Sequence, residues 1–110
     1  WYAAGPEADD KWRDYEKARN HSYREALDGL AADHVYRFDK KHLDESDFAI
    51  LCLPAGRSGH LELGYMIGRE KRCYILIDNP ERWDVMYKFA HGVFSSFDEL
   101  EEELKKLKIR

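Results

Sequence analysis

Glu62 closes the stretch "LPAGRSGHLE", in which an apolar run ends, a turn carrying Gly56 and Gly59 follows, and a helix begins. Backbone N–H groups at such a turn approach an anion without hindrance from a Cβ, and those of the helix start reinforce them. Arg57 adds a cation and Ser58 a hydroxyl, so a phosphate or a sugar hydroxyl would fit. Glu62 is read as lying in the first helical turn, where the helix dipole favours its ionised form. A carboxylate so placed can serve as nucleophile, or as electrostatic partner, to a cation-like sugar carbon. It can equally be a helix-favouring acid. Asp39 is the second carboxylate of interest. Helical spacing sets it beside a Val35, Phe38 and His42 stripe, at the edge of a buried face, although Lys40 and Lys41 next to it also suit a solvated acid. His60 stands two residues before Glu62, so on a helix the two side chains diverge, and a polar wall or a structural role suits it better than that of a base. No His, Cys, Asp or Glu group has metal-ligand spacing, so neither a metal nor another cofactor is expected.

The elements that must position these residues change character near residue 47. Before it the sequence is helical: a segment from Asp9 to about Arg19 with Trp12 and Tyr15 on one side, then Tyr23, Ala26, Leu27, Leu30 and Ala31 at helical spacing. Gly29 weakens that helix without having to end it. After residue 47, "DFAILCLP" and "RCYILID" are unbroken apolar runs of strand length, as in a parallel sheet covered on both faces. Between them "GHLELGYMIGREKR" is helical, and Gly64 and Gly68 are spaced for close approach to the sheet. In "DNPERWDVMYKFA", Asn79 is expected as an N-cap with Pro80 at the first helical position. "GVFSS" is expected as a third strand. A closing helix follows, with Ser96 and Glu99 spaced as a capping box and its acids early and bases late. The expectation is one α/β domain over 1–110, mainly helical over 1–46 and β-α-β-α-β-α over 47–110. Its parallel sheet would bind ligands at the strands' carboxyl ends, where "LPAGRSGHLE" lies.

Length and composition narrow the function. A chain of 110 residues leaves no room for two independent cores, and 44% hydrophobic with 14% aromatic residues suffices for one. A net charge of -4 argues against nucleic-acid polymers as partners. No apolar run approaches the ~20 residues that span a bilayer, so no membrane association is expected. Cys52 and Cys73 lie in apolar runs without CxxC spacing, which suits buried free thiols in a cytoplasmic protein.

The segment "SDFAILCLPAGRSGHLELGYMIGREKRCYILID", followed by "PERWDVMYKFA", resembles the nucleoside 2-deoxyribosyltransferase superfamily, in the bacterial and phage branch with an "LPxGRSxHLExG" motif and a "PExxMYK" element. The likeness covers roughly residues 36–105. It implies a Rossmann/flavodoxin-like three-layer fold and cleavage or transfer at the N-glycosidic bond of a nucleoside or nucleotide. Glu62 falls on the family's nucleophile, and Asp39 on the acid that contacts the base. The turn of Gly56, Arg57, Ser58 and Gly59, with His60, falls on the region that holds sugar or 5′-phosphate, although Gly56 stands where several members place Ser or Asp. Asp84 and Met86 fall near a segment that reaches a neighbouring subunit's site, which implies a homodimer. "WYAAGP" is similar to the end of the family's first strand, but residues 1–35 hold no β-α-β unit. A sheet lacking its front strands and an incomplete pocket are therefore expected. Two other readings stand beside the enzymatic one: a non-catalytic nucleotide-binding or interaction module that retains the fold, and an NAD-cleaving enzyme with a single catalytic Glu.

Overall fold

A computed structural model describes residues 6–107. The "WYA" and "AG" of the expected first-strand remnant lie outside the described residues. The chain divides into two compact units, a helical one ending at Ser46 and a sheet unit beginning at Asp47, where the sequence turns from helical to strand-like.

The helical unit holds α1 (Pro6–Ala18), α2 (Tyr23–Leu27) and α3 (Leu30–Glu45). Ser22 starts α2 with a full capping box, accepting from the Glu25 N–H while the Glu25 carboxylate accepts from the Ser22 N–H. The helix stops at Leu27 with Asp28 as its C-cap, and Gly29 is the N-cap of α3. A break after Leu27 rotates the following residues off the stripe. Of the expected apolar face only Ala26 is fully buried, while Leu27 and Leu30 are exposed. Trp12 meets Tyr23 edge-on at 6.2 Å. Tyr15, by contrast, is exposed and covered by the Arg19 guanidinium. The most buried polar residue is Glu16, whose carboxylate is paired with the His21 ring.

The sheet unit runs β1 (Phe48–Cys52), α4 (Arg57–Gly68), β2 (Arg72–Leu76), a short 3-10 helix (Val85–Phe89), β3 (Gly92–Phe94) and α5 (Phe97–Lys106). All strands are parallel in the order β1-β2-β3, with Ala49 opposite Cys73, Leu51 opposite Ile75 and Ile75 opposite Val93. This is a mixed α/β fold of Rossmann/flavodoxin-like kind whose sheet is small and incomplete. Cys73, Tyr74 and Ile75 of β2 are fully buried, as an unbroken apolar run covered on both faces requires. Leu63 and Met66 of α4 and Leu100 of α5 complete the core. Ser96 caps α5 by accepting from the Glu99 N–H, but the Glu99 carboxylate accepts from Ser95 instead, so the capping box is half made.

Three expectations give way here. Cys52, at the end of β1, is exposed, and only Cys73 is a buried thiol, with its acidity lowered by burial. Asn79 does not cap a helix. It sits in the left-handed region at φ 47°, a conformation that turns the chain, whereas an N-cap residue is extended. Residues 77–84 are irregular, and the helix is deferred to Asp84, whose carboxylate accepts from the Met86 N–H at 2.9 Å.

The third concerns Gly64 and Gly68. Neither approaches the sheet, since a Cβ added to either meets open space. Gly64 lies on an exposed part of α4, so Gly64→Ala removes backbone entropy from the unfolded chain without a steric cost. It is expected to stabilise the sheet unit by about 1 kcal/mol, read as a higher urea midpoint.

Candidate functional site

The carboxyl end of β1 leads through Leu53, Pro54 and Ala55 to Gly56, the N-cap of α4. Leu53 extends the ladder by donating its N–H to Leu76 at 2.9 Å, so the turn leaves the sheet only after that residue. Gly56 is extended (φ -79°), contributes no side-chain cap, and has open space where a Cβ would stand. Backbone N–H groups of Arg57, Ser58 and Gly59 form the start of the helix. All three residues border an uncapped helix end of the sort that favours anions. Gly59 plays a different part from Gly56. A Cβ on Gly59 would stand 3.2 Å from Leu51 Cδ1 and 3.5 Å from Ala55 Cβ, so this glycine lets α4 settle against β1.

Glu62 is not in the first turn. The helix starts at Arg57, and the first intrahelical bond runs from the His60 N–H to the Gly56 carbonyl. Glu62 is therefore six residues past the N-cap, beyond the turn in which the dipole acts strongly. It is half-buried, between exposed Leu61 and buried Leu63.

His60 is engaged at both ring nitrogens. Nδ1 lies 2.8 Å from the Gly56 carbonyl, and Nε2 lies 2.9 Å from the Tyr87 hydroxyl. A carbonyl only accepts, so Nδ1 carries the proton; in the neutral ring Nε2 then accepts from the Tyr87 O–H. The two rings also stack, with centroids 5.8 Å apart and planes 23° from parallel. The imidazole thus ties the amino-terminal turn of α4 to the 3-10 helix, which brings the quoted "MYK" stretch beside the glycine turn. Met86, next to Tyr87, is exposed, as are Trp83, Val85 and Phe89. Asp84 is committed to capping the 3-10 helix.

Asp39 belongs to the helical unit, and Glu62 to the sheet unit. On α3, Asp39 is half-buried and its Oδ1 is buried without a hydrogen-bond partner. Burial, reinforced by the Asp9 carboxylate, holds its carboxyl above the ordinary range, while His42 pulls the other way. A carboxyl so disposed keeps its proton further toward neutral pH, as a general acid requires. A raised folded-state pKa also has a sign for stability. The penalty of the buried charge is absent below the unfolded value, appears as pH rises through the folded one, and is complete above it. Asp39→Asn is therefore expected to stabilise the helical unit at pH 7, by less than about 1 kcal/mol because the group stays partly solvated. That advantage should vanish toward pH 3, as thermal melts across pH will show.

Residue types alone marked the glycine turn, but not Tyr87 or His91. The spacing of Tyr87 from His60 only becomes meaningful once β2 has brought the chain back. His91 clamps the entry to β3, its N–H donating to the Cys73 carbonyl and its Nδ1 accepting from the Cys73 N–H. No sequence signal singles it out. Among the described residues, no group of three or more His, Cys, Asp or Glu side chains could hold a metal ion, and no helix is long and apolar enough to cross a membrane. Comparison with protein-family models, with curated proteins and with solved structures finds no match to this chain.

Proposed function

We propose that this chain carries the nucleophile of a nucleoside or nucleotide N-glycosidase or deoxyribosyltransferase-like enzyme, with Glu62 as that nucleophile. The observation that supports the reading is the placement of "LPAGRSGHLE". It leaves a parallel strand at its carboxyl end, enters an uncapped helix through an unobstructed Gly56, and carries a half-buried carboxylate on that helix. In this reading an anionic or hydroxyl-bearing part of the substrate lies against the N–H groups of residues 57–59, aided by Arg57 and Ser58. A Glu62 carboxylate oxygen bonds to the anomeric carbon as the bond from that carbon to the base nitrogen breaks. The departing base nitrogen takes up its proton from water. Water or a second base then attacks the same carbon and frees Glu62.

A non-catalytic nucleotide-binding module is the second reading. It is favoured by the three-stranded sheet, in which β1 has a neighbouring strand on one side only among the described residues. Incubation with a panel of nucleosides, their 5′-monophosphates and NAD separates the two. Release of free base assigns an enzyme, and the substrate that reacts fixes its class. Calorimetric binding without release assigns the module, and the absence of both overturns both.

A further inference from the structure

We infer that the outer edge of β1 is a self-association surface, through which two copies of this chain pair their β1 strands antiparallel into one continuous sheet. Among the described residues no strand pairs with this edge. The ladder fixes which backbone groups it presents. Cys52 stands opposite Leu76, and the Leu53 N–H donates to the Leu76 carbonyl. Successive residues of a strand aim their N–H and C=O groups to alternate sides, so Ala49, Leu51 and Leu53 face β2. Phe48, Ile50 and Cys52 present theirs outward, one donor and one acceptor each.

The devices that normally blunt an edge are missing. "FAILC" has no charge, no proline and no bulge, whereas the opposite edge of the sheet, β3, is only three residues long. Phe48, Ala49 and Ile50 are only half-buried and Cys52 is exposed, so apolar surface remains to be covered.

The strand is also self-complementary. A two-fold axis through Ile50 sets Ile50 against Ile50 of the partner subunit, and Phe48 against Cys52 of the partner subunit. Every outward-facing residue then meets another outward-facing residue, so all their donors and acceptors pair. The nearest charge, Asp47, falls opposite the apolar Leu53 of the partner subunit, so no like charges meet. Moving the axis by two residues leaves outward groups unpaired. The symmetry closes at two copies, because each edge is consumed once. This surface is separate from the exposed 83–89 stretch and does not depend on the glycosidase reading.

Sedimentation equilibrium, from low micromolar to several hundred micromolar chain, is expected to show a monomer–dimer equilibrium. Amide exchange across the same range should slow at Phe48, Ile50 and Cys52 by about tenfold or more, while Ala49 and Leu51, already bonded to β2, change little. Ile50→Pro removes an outward N–H that the β1–β2 ladder does not use, and should give a folded monomer. If that variant fails to fold by circular dichroism, Cys52→Lys, at an exposed position, should weaken the dimer by about tenfold. A monomer throughout the range overturns the inference, whether or not the three amides are protected by another segment of its own chain. So does a dimer that survives these variants, or one that Met86→Asp alone dissolves.

Discussion

Glu62→Gln is expected to abolish base release from whichever nucleoside or nucleotide the chain turns over, lowering the rate by about a thousandfold or more. The amide matches the carboxylate in size and in helix propensity, so α4 and its packing survive; what is lost is the anionic oxygen that bonds to the sugar carbon. Far-ultraviolet circular dichroism should therefore match the parent. The adjoining Leu61→Gln, on an exposed side chain, should retain activity. A cavity left by Glu62→Ala offers a second readout, since a small anion such as azide can take the place of the missing carboxylate and restore cleavage as a glycosyl azide. Undiminished turnover in Glu62→Gln would remove this residue from the chemistry and leave the glycine turn as a binding element. The expectation does not lean on the helix dipole, because the helix begins at Arg57 and its free N–H groups are spent before Glu62 is reached.

Met66→Ala should cost the sheet unit about 2–5 kcal/mol. Met66 has no exposed surface, and it lies on the helix that packs over β1 and β2. Truncation removes buried contacts there and leaves a cavity that the surrounding strands cannot close. Its helical neighbour Leu63 is nearly as buried, and the Leu63 carbonyl lies 4.0 Å from the Cys73 sulfur, so the region has little slack. Set against a total stability of about 5–15 kcal/mol for an ordinary domain, a loss of this size should be plain in urea unfolding followed by circular dichroism. Leu61→Ala, on the same helix but three-quarters exposed (75%), is the control and should change the midpoint little, within about 0.5 kcal/mol.

The strands and the closing helix could be read from residue order because their signals are local. An unbroken "CYILI" bounded by Arg72 and Asp78 has few ways to be anything but a covered strand, and the acid-to-base gradient of α5 reinforces its caps. The front of the chain was less legible. Apolar residues at helical spacing suggest one face from Tyr23 to Ala31, yet the helix stops at Leu27 and Gly29 starts a new one, so Leu30 leaves that face. Propensity could not decide whether Gly29 interrupts or merely weakens. Asn79 failed for a related reason. Asn suits both an N-cap and a left-handed turn, and only the path of the following residues shows which conformation it takes. At the site, the glycine turn was legible in type but not in detail. The two glycines look alike on paper, and only the nearness of Leu51 separates the packing one from the open one. The extra turn of helix ahead of Glu62 was missed because Arg57 and Ser58 carry no strong start signal of their own.

The His60–Tyr87 contact has a consequence for the phenol. With the imidazole neutral, the tyrosine proton points at Nε2 and only its oxygen lone pairs are left for other neighbours. The phenol hydrogen is thereby spent on the imidazole, and the Tyr87 hydroxyl can offer the space beside Met86 an acceptor but no donor. A molecule settling there must bring its own N–H or O–H to that oxygen.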